Sequence, residues 1–135
     1  MEIIGLDANI LVRFFTGDSL EQTNQVYQIF KKAENEGREL YVSTLVVFEL
    51  IWVLKSIYKF RRDDILQILL DLTSMPIFKF ENVTLIQSCM RDAKSTTFDL
   101  SDLLIAHSAK LSKVQSVLTF DKKAGKHPLF KLVSV

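Results

Sequence analysis

The chain opens on a short apolar run, Ile3, Ile4 and Leu6, that stops abruptly at Asp7-Ala8-Asn9. A run that brief predicts a buried strand feeding a polar turn. Ala8 to Phe15 reads as a short helix closed by Thr16-Gly17. Asp18 or Ser19 then caps an amphipathic helix with Leu20, Val26, Tyr27, Ile29, Phe30 and Ala33 on its apolar face and Gly37 as its stop. Leu40 to Val42 predicts a second strand, and Ser43 or Thr44 caps a nearly all-apolar helix running to about Ile57. Asp63 to Thr73 predicts a helix ended by Met75-Pro76, and Ile77 to Phe80 a third strand. Helices are expected from Asn82 or Thr84 to about Lys94 and from Asp99 or Ser101 to Leu111, then strands at Val117 to Phe120 and Lys131 to Val135. Strands alternating with helices predict an α/β domain with a mainly parallel sheet covered on both faces. In such folds ligands gather beyond the carboxyl ends of the strands, so the polar residues there carry the chemistry.

Composition narrows the class. At 135 residues and 48% hydrophobic, with 4 Gly and 2 Pro, the chain is sized and filled for one globular domain over 1–135, and disordered or low-complexity classes are excluded. The formal charge of +1 is a sum of opposed blocks: acidic up to Leu54, basic at Lys55, Lys59, Arg61 and Arg62, acidic again to Ala109, and basic from Lys110 onward. The lone cysteine, Cys89, sits among Ile86, Met90 and Ala93 and is expected in the core. No basic leader opens the sequence, and the longest apolar stretch, Leu45 to Leu54, is half a membrane span and is interrupted by Glu49. A cytoplasmic protein, neither exported nor membrane-embedded, is the expectation.

Several acids stand where a fold alone does not require them. Asp7 and Asp121 each follow a predicted strand, although aspartate there also serves as a turn or cap residue. Glu49 interrupts a helix apolar on every side, where an unpaired buried carboxylate would cost several kcal/mol. A salt bridge to Arg13 or Lys55 is the alternative account of it. Asp99 and Asp102 lie three apart at a helix start, a placement that also suits the helix dipole. Carboxylates converging from these places would repel unless a divalent cation joined them, and an all-oxygen donor set suits Mg²⁺ or Mn²⁺ rather than zinc. Such ions typically act on phosphate esters.

Four stretches resemble the PIN domain family, and within it the VapC-type ribonuclease toxins: Leu6-Asp7-Ala8-Asn9-Ile10-Leu11, Ser43 to Leu50 around Glu49, Asp99-Leu100-Ser101-Asp102-Leu103-Leu104-Ile105-Ala106, and Leu118-Thr119-Phe120-Asp121-Lys122. The resemblance runs the length of the chain. It implies a PIN-like α/β fold, a central, mainly parallel twisted sheet of about five strands flanked by helices in three layers (α/β/α). It implies a metal-dependent endoribonuclease in which Asp7, Glu49, Asp102 and Asp121 surround one or two Mg²⁺ or Mn²⁺ ions, Asp99 is an auxiliary acid, and Asn9 and Thr119 are polar supports. A homodimer bound by a small antitoxin is the implied assembly. The sequence departs from the family pattern at Phe120 and in the Lys-rich run after Asp121, which bears on the role of Asp121.

The basic blocks gain a purpose in this frame: Lys55, Lys59, Arg61 and Arg62 on one side and Lys122, Lys123 and Lys126 on the other would hold the RNA backbone, or else form an ordinary solvated face. Tyr58 and Phe60 are expected to pack rather than stack bases. His107 is expected to pack or hydrogen-bond within the fold, and His127, in a loop before Pro128, is given no role. Competing readings fit less well. A receiver domain would carry an adjacent acidic pair where Asp7 stands alone, and a haloacid-dehalogenase-type phosphatase would carry an acid where Asn9 stands. An RNA-processing PIN nuclease outside a toxin system, and a PIN-like module that binds RNA or protein without cutting, are the functional alternatives.

Overall fold

The computed structural model describes residues 2–133, in two compact units, Met1–Asn82 and Val83–Val135. The first unit runs β1 (Ile4–Gly5), α1 (Ala8–Thr16), α2 (Leu20–Glu36), β2 (Leu40–Val42), α3 (Thr44–Ser56), α4 (Arg62–Ser74) and β3 (Phe78–Phe80). Its strands form a parallel ladder in the order β1-β2-β3, with Ile4 opposite Leu40 and Leu40 opposite Phe78. Each crossover is made by two helices, so all three strands deliver their carboxyl ends to one edge. Local signals set the helix limits. The Ser19 hydroxyl accepts from Gln22 N–H at the start of α2, Ser43 does the same from Val46 N–H at α3, and Gly17 and Gly37 take the left-handed conformation that ends α1 and α2. Beneath the ladder Leu11, Leu40, Val42, Leu50, Leu54 and Leu72 are fully buried, and α1 packs on α3.

Two burial expectations are overturned in this unit. β1 was expected buried, yet Ile3 is 59% and Ile4 41% exposed. The reason is its place at the edge of its ladder, where among the described residues it pairs with β2 alone. Glu49 was expected inside an all-apolar helix and is exposed instead. α3 buries Val47, Leu50, Ile51 and Leu54, while the opposite stripe leaves Leu45 80% and Trp52 50% exposed, and Glu49 lies on that stripe at helical spacing. A helix apolar all round has no pattern to say which side faces water.

The second unit runs α5 (Val83–Ser95), α6 (Leu100–Leu111), β4 (Val117–Thr119), a 3-10 turn (Ala124–Lys126) and β5 (Phe130–Leu132). α5 packs on α6, with the Cys89 thiol 3.5 Å from the Leu103 carbonyl oxygen and Leu85, Ile86, Leu103 and Leu104 buried, and β4 pairs in parallel with β5, Val117 opposite Phe130. Cys89 is buried as expected, and desolvation, with the Asp92 charge, pushes its thiol up to about 12. The parallel β4–β5 crossover, residues 120–129, is short for its kind. It closes because the 3-10 turn lies directly on β5: a Cβ on Gly125 would sit 2.9 Å from the Leu132 Cβ, so no larger residue fits there without a shift. The expected fifth strand starts one residue early, at Phe130, and its last two residues, Ser134 and Val135, lie outside the described residues. The described residues thus form a mixed α/β fold whose strand pairings, in one three-stranded and one two-stranded ladder, are parallel, as expected. No helix among the described residues is long and apolar enough to cross a membrane.

Candidate active site

Asp7 stands between β1 and α1 as the N-cap of α1, with extended backbone, but its carboxylate makes no capping hydrogen bond. Aspartate at this position ordinarily satisfies the free N–H groups of the first turn. Asp7 leaves that work undone, is exposed, and has no side-chain partner among the described residues. Asn9, two residues on, is exposed in the first turn of α1. The turn-residue account of Asp7 therefore fails on geometry: the carboxylate is available for something else.

Glu49 is likewise uncommitted. It has no hydrogen-bond or ion-pair partner among the described residues, and Arg13, one of the two cations offered as its mate, is taken by Asp18 at 3.3 Å and by the Tyr58 hydroxyl at 3.2 Å. Tyr58 in turn donates to Asp18, and that hydrogen bond, ahead of the Arg13 charge, holds the Asp18 carboxyl below its ordinary range. Tyr58 also lies edge-on to Phe60 with ring centres 6.1 Å apart, the packing role expected for both. The N-terminus of α3, below Glu49, is capped by Ser43 and by Glu81, whose Oε1 accepts from Thr44 N–H at 2.9 Å.

In the second unit the acids divide by duty. Asp99 is the N-cap of α6 and accepts from Ser101 N–H at 2.9 Å and Asp102 N–H at 3.2 Å. Its local role is structural, and it fixes the turn that carries Asp102, which is half-buried. Asp121 caps the 3-10 turn: its Oδ1 accepts from Lys123 N–H at 2.8 Å and Ala124 N–H at 3.0 Å, while its own N–H donates to Thr119 Oγ1 at 3.0 Å. Thr119 is thus a support of Asp121 in plain structural terms. Asp121 is exposed. The donor chemistry of Asp7, Glu49, Asp102 and Asp121 is oxygen throughout, which fits a hard divalent cation and not zinc.

A family model described as "PIN domain" matches residues 4–128. The chain belongs to the PIN domain family. It is also 25% identical over 118 residues to a protein named "VapC ribonuclease" from Aquifex aeolicus (strain VF5), a match covering 87% of this chain and 87% of that protein.

This PIN domain also contains a cluster that the sequence did not point to. Asp92 on α5 places Oδ2 2.7 Å from Nε2 of His107 on α6 and 2.7 Å from Nε2 of His127 in the β4–β5 crossover. Their ligand atoms lie within 4.8 Å of one another, and none of the four acids is in the group. His107 was expected to hydrogen-bond within the fold and does so. His127, given no role, is 5% exposed and is the most enclosed polar contact of its loop, a correction that follows from the crossover folding back onto α5. Burial pushes the Asp92 carboxyl up, but the two imidazole hydrogen bonds and charges outweigh that and leave it below the ordinary range. Asp92 was missed because a charged residue beside a buried helical stripe (Ile86, Cys89, Met90, Ala93) looks like an ordinary boundary residue. The signal available was that both histidines of the chain lie C-terminal to it. A cavity of about 590 Å³ opens beside the cluster, lined by Arg91, Asp92, His107 and Lys110 among others.

Proposed function

We propose that this PIN domain is a divalent-metal-dependent endoribonuclease, the toxin of a VapBC-type toxin–antitoxin pair, in which residues 1–135 act as one domain and Asp7, Glu49, Asp102 and Asp121 form the acidic quartet. The observation that carries the reading is Asp7, a carboxylate at the carboxyl end of β1 that occupies a cap position without capping. The kinship with a protein named VapC ribonuclease supports the reaction class.

Mg²⁺ or Mn²⁺ bound by these oxygens would supply charge neutralisation at the phosphodiester and acidify the attacking water. Asp7 and Asp102 are the principal holders. Glu49, exposed and unpaired, orients the attacking water and takes its proton. Asp121 has one oxygen spent on the 3-10 turn and offers the other, Oδ2, to a weaker position. Asn9 and Thr119 support the segments carrying Asp7 and Asp121, and Asp99 holds the first turn of α6 beneath Asp102.

Lys55, Lys59, Arg61 and Arg62, with Lys122, Lys123 and Lys126, bind the RNA backbone, and phosphate binding of this kind weakens as salt rises. A homodimer, a small antitoxin protein and a cytoplasmic setting complete the reading. The experiment is cleavage of a structured RNA by the purified full-length chain. Cuts are expected with Mg²⁺ or Mn²⁺ and none in excess EDTA. Cutting that survives EDTA, or no cutting of any RNA with either ion, would overturn the reading.

A further inference from the structure

Asp92, His107 and His127 take no part in the reaction as assigned above, yet they join α5, α6 and the β4–β5 crossover of the second unit. The hydrogen bonds around His127 set its tautomer. Leu129 N–H donates to His127 Nδ1 at 3.0 Å, so Nδ1 presents its lone pair and Nε2 carries the hydrogen, which it donates to Asp92 Oδ2. For Nε2 to ligate a metal it would have to surrender that proton, and Nδ1 would have to take one up where the Leu129 N–H already points. Metal-bound histidines do the reverse, donating from the second nitrogen. The cluster is a hydrogen-bonded tie and not a second metal centre.

What the tie joins gives it meaning. His127 ends the 3-10 turn, its N–H donating to the Ala124 carbonyl at 3.0 Å and its carbonyl accepting from Phe130 N–H at 3.0 Å. Asp121 holds the opening of that same turn through Oδ1. The turn is therefore clamped at one end by a proposed metal-binding acid and at the other by a buried imidazole anchored to α5. The His127 ring also lies edge-on to Phe98, with centres 4.9 Å apart, and Phe98 directly precedes Asp99, the cap of the turn that carries Asp102. Through Asp92 the anchor reaches His107, on the same helix as Asp102. One buried side chain and its carboxylate thus connect both acid-bearing segments of this unit.

We propose that His127 and Asp92 are positioning residues that set Asp121 and Asp102 in register for the divalent cation. The inference rests on the site assignment above. Oxygen sites for such ions depend on ligand placement to a fraction of an ångström, and that placement is lost when the supporting contacts are. His127→Phe keeps the ring stacking and removes both hydrogen bonds. His127→Gln restores an N–H donor toward Asp92.

The test is calorimetric Mn²⁺ titration of the whole chain, with parent, His127→Phe, His127→Gln, Asp92→Leu and Asp102→Asn measured well below their melting temperatures. His127→Phe is expected to weaken Mn²⁺ binding on the order of tenfold, with His127→Gln recovering most of the loss. Amide exchange at Lys123 and Ala124 should accelerate in the Phe variant and return toward the parental rate in the Gln variant. A lowered melting temperature with parental Mn²⁺ affinity would make His127 merely structural and would sink the proposal. Should His127→Phe not fold, Asp92→Leu carries the same test, because leucine removes the one oxygen, Oδ2, that accepts from both imidazoles. Parental affinity in Asp92→Leu would equally overturn it. Asp102→Asn separates the two layers: parental Mn²⁺ binding in that variant removes the site assignment and this inference with it, whereas its loss alongside an unaffected His127→Phe removes this inference only.

Discussion

Asp102→Asn is expected to reduce metal-dependent RNA cleavage by roughly a thousandfold or more, the loss of several kcal/mol of transition-state stabilisation. The fold should survive the change. Asp102 lies in the first turn of α6, where a negative charge contributes only about 0.3–1 kcal/mol through the helix dipole, and asparagine has nearly the same volume. The core beneath it, Leu100, Leu103, Leu104 and Ala106, is untouched. Asp99→Asn is the matched control. Asparagine caps a helix as well as aspartate does, so Asp99→Asn should keep both the α6 turn and most of the activity. Initial rates on one RNA with Mg²⁺, read with melting curves for parent and both variants, decide the matter. Equal losses in the two variants would mean that Asp102 acts through the helix start and not through a ligand oxygen.

The contrast between those two neighbours shows what the sequence did and did not disclose. Helix limits were legible because they rest on local chemistry: Ser19, Ser43 and Asp99 cap, Gly17 and Gly37 stop, and the structure places each in that duty. Parallel strands followed from alternation with helices. The exposure of Glu49 was not legible, because a helix such as Thr44–Ser56, apolar at nearly every position, has no periodic signal to choose its buried face. Nor was the exposure of Ile4, since an edge strand and a central strand of two or three residues carry the same apolar letters. The motif acids were visible as residues, but their division of labour was not. Asp7 and Asp99 look alike in sequence, each an aspartate before a helix, and only the side-chain geometry shows that one caps and the other does not. The Asp92 cluster joins residues 15 and 35 positions apart, with no local pattern to announce it.

That cluster should also dominate the acid side of the stability profile. Asp92→Leu leaves two imidazole N–H groups without their acceptor, one on a side chain only 6% exposed and the other on one 14% exposed that water in the adjoining cavity can partly re-solvate. Hydrogen bonds to a charged group are each worth about 1.5–3 kcal/mol, so with the rehydration discount the variant should lose about 2–4 kcal/mol. For a chain of this length that is a fall in melting temperature on the order of 10 °C at neutral pH. The sign of the pH dependence follows from the depressed Asp92 carboxyl. A group whose value is lower folded than unfolded contributes stability that is complete above the unfolded aspartate value of about 3.9 and is lost as pH falls through the folded value. The gap between parent and Asp92→Leu should therefore be full at pH 6 to 7, begin to close near pH 4, and keep narrowing below it. Differential scanning calorimetry of both proteins from neutral to acid pH measures this directly. A gap that stays constant down to the acid limit would show that Asp92 stabilises the second unit by packing alone, with the charge on its carboxylate contributing nothing.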